Sequence, residues 1–270
     1  MLLAIDIGNT NISLGIFSAT KAGGFNKNYG KKINRLKKRF DIATKHYKQE
    51  RLKNALRGIS IDDAIICSVV PKITDILEKD CKRLFGIKPY VLGKNITVPI
   101  KNLYRRPKQV GQDRLVNAYA GIMLYGAPLI AVDFGTAITF DVISGKKEYL
   151  GGLILSGLQL SLDALAERTA LLPKIKLKKP EEFIGRTTKT SMLSGVVYGA
   201  GVITDELVRS LKKRLGKFAQ VIATGGDIDL VAKFCRKIDK IEKDLTLKGL
   251  GLIYNEISKR KRFQRLNYSA

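Results

Sequence analysis

Asp6-Ile7-Gly8-Asn9-Thr10 and Asp133-Phe134-Gly135-Thr136-Ala137 are the two stretches on which the fold of this chain turns. Each follows an apolar run, Leu2 to Ile5 or Leu129 to Val132, and leads into another, Ile12 to Phe17 or Ile138 to Ile143. The pattern is strand, tight turn, strand, written twice. A carboxylate, a glycine and a hydroxyl in one turn suit a nucleoside triphosphate: the Asp can hold hydrated Mg²⁺, the Gly lets backbone N–H groups approach phosphate oxygens, and the Thr adds a donor. Asp-x-Gly between apolar runs is also an ordinary hairpin turn. Two copies in matching contexts half a chain apart point to an internal duplication with a cleft between the halves.

With 270 residues the chain has room for two domains, expected at residues 1–116, with the first turn and Gly111-Gln112-Asp113-Arg114, and 117–270, with the second turn and the helices of a dimer interface. An apolar fraction of 45% fits a globular protein. No apolar stretch reaches the ~20 residues of a membrane helix, and Asp6 stands where a signal peptide needs its apolar core, so neither a membrane span nor secretion is expected. Cys67, Cys81 and Cys235 show no paired spacing; reduced, buried thiols in the cytoplasm are expected. His46 is the only histidine, which argues against a histidine-based hydrolase and against histidine-bound metals. Catalysis must fall to carboxylates, hydroxyls, cations or a bound ion.

Lys and Arg number 49 against 24 acids, a net charge of +25. Thirteen of the bases fall between Lys21 and Arg57, where Asp41 and Glu50 are the only acids, and Lys259-Arg260-Lys261-Arg262 forms a basic tail. Such a field attracts nucleotides, acidic metabolites and nucleic acid alike. A solvated lysine-rich surface is the plainer reading, with nucleic acid held only nonspecifically.

Around the turns, Phe40 to Ala43 and Ala64 to Val70 read as strands, Tyr47 to Leu56 and Ile73 to Phe85 as helices, and Pro89 to Leu92 as a short strand. Ser18 to Asn34 reads as a flexible hairpin or loop. In the second half, Tyr149 to Leu155 and Gln220 to Thr224 read as strands. Leu158 to Leu172, Ser191 to Leu215 and Leu230 to Phe234 read as helices, and Asn117 to Tyr125 as a helix joining the halves. No Gly-x-x-x-x-Gly-Lys-Ser/Thr loop occurs. Gly199-Ala200-Gly201 and Gly249-Leu250-Gly251 read as helix-packing glycines rather than dinucleotide fingerprints. Thr224-Gly225-Gly226-Asp227 could bring a backbone close to an adenine or ribose, or be a plain turn. In Asn102-Leu103-Tyr104-Arg105-Arg106-Pro107 and Gly111-Gln112-Asp113-Arg114, Asp113 could accept the proton of an attacking alcohol beside a guanidinium, or simply cap a helix.

The ordered set Asp6-x-Gly8-Asn9-Thr10 with Gly15, Ser68-Val69-Val70-Pro71, Gly111-x-Asp113-Arg114, Asp133-x-Gly135-Thr136-Ala137, Gly151-Gly152-x-Ile154, Thr169-Ala170-x-Leu172-Pro173 and Thr224-Gly225-Gly226 resembles the type III pantothenate kinases over nearly the whole chain. The resemblance implies an α/β fold of duplicated ribonuclease H-like (actin-like ATPase) domains, each a mixed five-stranded sheet with flanking helices. It implies ATP-dependent phosphorylation of pantothenate to 4'-phosphopantothenate, towards coenzyme A, by a cytoplasmic homodimer. It casts Asp6, Ile7, Gly8, Asn9, Thr10, Asn11, Ile12 and Ser13 as the ATP loop with Asp6 on Mg²⁺. Thr136 becomes a second ATP contact, Asp133 the ligand of a monovalent cation (K⁺ or NH₄⁺), and Asp113 the general base. Tyr104, Gly111, Gln112, Asp113 and Arg114 form the pantothenate pocket, with Thr188 reaching a partner's site. Three positions depart from the family pattern: Ser156 stands for a usual proline, Thr187 for a common asparagine, and Ser18 to Asn34 is longer and more basic. Two other readings stay open: a non-enzymatic transcription accessory protein on this scaffold, and another small-alcohol kinase.

Overall fold

The computed structural model describes residues 1–18, 24–26, 31–33 and 35–267, with side chains for 1–18 and 35–259. The chain forms two compact units. One comprises Met1–Ile100, Arg106–Leu124 and Asp244–Ala270, the other Lys101–Arg105 and Tyr125–Lys243.

In the first unit the apolar run at the start is strand β1 (Leu2–Ile7), which turns into antiparallel β2 (Asn11–Phe17). The short strands β3 (Gly24–Asn26) and β4 (Lys31–Ile33) pair as a hairpin within the Ser18 to Asn34 segment, whose residues 19–23, 27–30 and 34 lie outside the described residues. β5 (Leu36–Ala43) returns beside β2. Helix α1 (Gln49–Ala55) leads to β6 (Asp63–Ser68), parallel to β1, then helix α2 (Pro71–Phe85) and the two-residue β7 (Tyr90–Val91). The sheet order is β5-β2-β1-β6-β7. Pro71 at the first turn and Gly86 in the left-handed conformation bound α2 at its two ends.

Alternation sorts the residues. Leu3, Ile5, Ile7, Ile12, Leu14, Ile16, Ala64 and Ile66 share one buried core with Leu52, Leu77 and Cys81 of α1 and α2. Each such aliphatic side chain contributes about 1.5–3 kcal/mol when fully buried. The opposite face carries Asp6, Ser13, Asp41 and Cys67.

The second unit opens with the two-residue β8 (Lys101–Asn102). Helix α3 (Gln112–Tyr125) belongs to the first unit as far as Leu124, so the division expected after residue 116 falls inside a helix. Beyond it come β9 (Leu129–Phe134), β10 (Ala137–Ile143), β11 (Glu148–Ser156), α4 (Leu158–Arg168), α5 (Thr188–Leu215), β12 (Gln220–Thr224), α6 (Ile228–Val231) and β13 (Lys240–Ile241). Strand order β11-β10-β9-β12-β13 repeats the first sheet with the same parallel and antiparallel pairings, which is the duplicated ribonuclease H-like architecture. This sheet has six strands rather than five, because β8 adds itself parallel to β11 at the edge.

Helix α7 (Leu245–Asn267) returns to the first unit. The sequence reading assigned it no element. Its Gly249 lies so close to α3 that a Cβ there would stand 2.6 Å from Val116 Cγ1, and Gly251 faces the Phe17 ring, so the reading of this pair as packing glycines holds. Gly201 of α5 likewise has a Cβ position only 2.8 Å from Phe234 Cβ. Among the described residues no helix is long and apolar enough to cross a membrane.

Candidate active site

The first Asp-x-Gly turn is pinned from two sides. Gly8 N–H donates to the Asn11 carbonyl at 2.9 Å and closes the turn, while Thr44 donates its hydroxyl to the Gly8 carbonyl at 2.7 Å and its N–H to the Thr10 carbonyl at 2.9 Å. The Gly8 amide is therefore already used within the turn, contrary to the simple picture of glycine offering its own N–H. The exposed tip is Asn9, Thr10 and Asn11. Ile7 and Ile12 are both fully buried, so they can offer a nucleotide only backbone. Asp6 is half-buried at the end of β1, directly opposite Ser13 on β2 and Cys67 on β6. Ser13 Oγ donates to Asp41 Oδ1 at 2.6 Å.

Asp113 lies in the first turn of α3. Its Oδ1 accepts the Arg114 N–H at 2.9 Å. Burial raises its pKa above the usual carboxylate range, and the bond from the Arg114 N–H and the nearby guanidinium only partly offset this. Gly111 makes the placement possible, since a Cβ there would stand 2.4 Å from Asp113 Oδ1. Arg114 is buried and Gln112 packs over Gly93. Cys67 joins the two carboxylates: burial pushes its thiol well up, and the charges of Asp6 and Asp113 both push the same way. The first unit thus holds Asp6, beside Cys67 in register, and Asp113, far apart in sequence.

The second loop repeats the geometry with different neighbours. Asp133 ends β9, in register with Thr139 on β10 and Thr224 on β12. Thr136 is exposed at the turn, and its carbonyl accepts the Gly157 N–H at 3.0 Å. Gly225, at φ +103°, presses so closely on Phe134 that a Cβ would lie 2.5 Å from its backbone, and the Asp227 N–H bonds the Phe134 carbonyl at 3.0 Å. The Thr224-Gly225-Gly226-Asp227 turn is therefore the buttress of the second loop. Asp227, half-buried there with a carboxyl raised by burial, is a candidate that sequence reasoning quoted without giving a role.

The expected pantothenate residues divide between the units. Gly111 to Arg114 lie in the first, whereas Tyr104 and Thr188 lie in the second. The Tyr104 ring packs against Gly151. Thr188 is exposed at the start of α5, just after a capping box in which Thr187 and Thr190 exchange bonds of 3.0 and 3.2 Å. Threonine at 187, where asparagine is common, is thus a competent cap.

Two further sets of residues stand out in the second unit. Leu171, Phe183, Ile184 and Val202 are 90%, 69%, 77% and 67% exposed. A pocket of about 480 Å³ at the end of α5 is lined by Val208, Arg209, Lys212, Lys213, Gly216, Lys217 and Lys237. Arg209 there is paired with Glu206 and Lys212 with Asp239. Among the described residues no three His, Cys, Asp or Glu side chains cluster as a metal site.

The sequence profile described as type III pantothenate kinase matches residues 2–210. Among solved structures, the chain is similar to a conserved putative Baf family transcriptional activator from Campylobacter jejuni, at 20% identity and a TM-score of 0.59 over 95% of this chain and 99% of that one. It is also similar to a putative 2-dehydro-3-deoxygalactonokinase from Sinorhizobium meliloti, at 12% identity and a TM-score of 0.55 over 95% and 99%. At these identities the two structures speak for the fold alone.

Proposed function

The chain belongs to the type III pantothenate kinase family, and from that premise we propose that it transfers the γ-phosphoryl group of ATP to the primary hydroxyl of pantothenate, giving 4'-phosphopantothenate and ADP. The observation that carries this reading is the Asp113 carboxylate, desolvated, held at Oδ1 by the Arg114 N–H, given room by Gly111, and in the same unit as Asp6. A raised pKa makes a carboxylate a stronger base for an alcohol proton. Asp113 takes that proton, the alcohol oxygen forms a bond to the γ-phosphorus, and the bond to the ADP oxygen breaks. Arg114 contributes charge beside Asp113 in the same unit.

When bound, Mg²⁺ and a monovalent cation would neutralise charge on the triphosphate. The residues fit both ions. A single carboxylate at Asp6, completed by phosphate oxygens and water, is a normal Mg²⁺ arrangement. At Asp133 the registered neighbours Thr139 and Thr224 are neutral hydroxyls, which suits a weakly held K⁺ or NH₄⁺. Thr136 supplies a phosphate contact from the second loop. Positioning and electrostatics supply most of the acceleration in such transfers.

The exposed apolar side chains at Leu171, Phe183, Ile184 and Val202 support a homodimer formed through the second unit, with Thr188 presented to the partner. Three free thiols support a cytoplasmic setting.

ADP release from purified protein with ATP, Mg²⁺ and K⁺, measured with and without pantothenate, tests the reading. Release that requires pantothenate is expected. Release with a different small alcohol instead makes the chain another kinase of this fold. No release with any alcohol favours a non-enzymatic regulatory protein, the kind of activity named for the similar Campylobacter jejuni protein. Asp113→Asn should lower turnover by about 10²–10⁴-fold while ADP binding is retained; near wild-type turnover would remove Asp113 as base.

A further inference from the structure

Cross-strand register places Cys67, Asp6, Ser13 and Asp41 in one row across β6, β1, β2 and β5. The duplicated row in the second unit is Thr224, Asp133, Thr139 and Ile154. The first three positions keep their chemistry: a small polar side chain, an aspartate and a hydroxyl. The fourth does not. Asp41 in the first unit corresponds to Ile154 in the second, which is 62% exposed.

Asp41 is the centre of a network. It accepts the Ser13 hydroxyl at 2.6 Å and three bonds from Arg39, from Nε to Oδ2 at 3.1 Å and to Oδ1 at 3.3 Å, and from Nη2 to Oδ1 at 3.0 Å. The remaining guanidinium edge donates from Nη1 to Asp244 at 2.8 Å. Asp244 is the residue at which the chain re-enters this unit, and its carbonyl accepts the Lys248 N–H at the start of α7. All three side chains are partly exposed, so the network is worth little as stability. Its forked geometry fixes direction instead.

We propose that Arg39 is a positioning residue for the ATP loop: it holds Asp41 so that the Ser13 hydroxyl stays fixed beside Asp6, and it offsets the Asp41 charge on the side from which the anionic nucleotide arrives. The proposal rests on reading residues 6–13 as that loop. The asymmetry between the two rows supports it, because the charged end occurs only in the unit given the metal–phosphate role. Lysine could supply the charge but not the fork, so exchange of Arg39 for Lys should recover only part of the effect.

The test is calorimetric binding of ADP with Mg²⁺, alongside steady-state kinetics, for the full chain and its Arg39→Gln, Arg39→Lys, Asp41→Asn and Asp6→Asn variants. Arg39→Gln should weaken ADP binding and raise the KM for ATP by about tenfold, with the KM for pantothenate and the melting temperature nearly unchanged. Asp41→Asn should move the same quantities in the same direction, and Arg39→Lys should lie between wild type and Arg39→Gln. Wild-type ADP affinity in both Arg39→Gln and Asp41→Asn overturns the proposal. So does a loss that falls equally on both substrates and on melting temperature, because that is structural damage. Asp6→Asn separates the two ideas: if it leaves ADP binding untouched the loop reading itself fails, whereas a loss there with Arg39→Gln silent refutes only the role of Arg39.

Discussion

Asp113 illustrates how a carboxylate is prepared by its neighbours. A Cβ at 111 would occupy the space of its Oδ1, so Gly111→Ala must push the carboxylate aside. A displacement near 1 Å costs roughly 10²-fold in rate, and that loss in kcat, with the KM for ATP unmoved, is the expected kinetic result. Burial of the same group also has a stability consequence. Its folded pKa is raised, so its favourable contribution is complete below the unfolded pKa of about 3.9 and is lost as pH rises through the folded value. Asp113→Asn should therefore melt at or above the wild-type temperature at pH 7, with the difference vanishing near pH 3; a lower melting point at pH 7 would mean the carboxylate is stabilising. The placement of Asp6 at a strand-to-strand turn and of Asp113 at the start of a helix was legible in the sequence, because short apolar runs and turn residues mark both. Arg39, Asp41 and Asp244 were not, because the Arg39–Asp244 pair spans 205 positions and no local pattern links its members. The placing of Ile7 and Ile12 in the core was available from strand alternation, which a motif read as one unit conceals.

At the scale of elements, apolar runs bounded by turn residues located nearly every long strand, and both copies of the loop, to within a few residues. β8 and β13, two residues each, have too little sequence to show a period. α7 was missed for another reason: its first half packs on the sheet through Leu247, Leu250 and Ile253 and its second half is dominated by bases, so no single amphipathic stripe runs along it. The packing it makes is nonetheless tight. Gly249→Val would drive a branched side chain into Val116 and Ala120, and should destabilise the protein by about 1–3 kcal/mol, measured as a lowered denaturation midpoint at unchanged slope. Gly195→Ala, which meets nothing within 4 Å on α5, should be neutral or stabilising by comparison.

For the molecule as a whole, a net charge of +25 governs encounters before any site does. Nonspecific retention on single-stranded DNA should fall by at least tenfold between 50 and 200 mM salt, followed by fluorescence anisotropy; retention indifferent to salt would call for a specific interface. The boundary expected after residue 116 failed to anticipate the unit division because the chain passes between units more than once, and a linear reading has no means of assigning a late helix to an early sheet. That interleaving has a consequence for biosynthesis. As the polypeptide leaves the ribosome, β1 to β7 emerge first, but the face bearing Asp6 and Ser13 stays uncovered until α7 follows, after the whole of Tyr125–Lys243 has been made. The first unit is begun before the second and completed after it, so the turn bearing Asp6 waits on a helix translated later than the whole of Tyr125–Lys243.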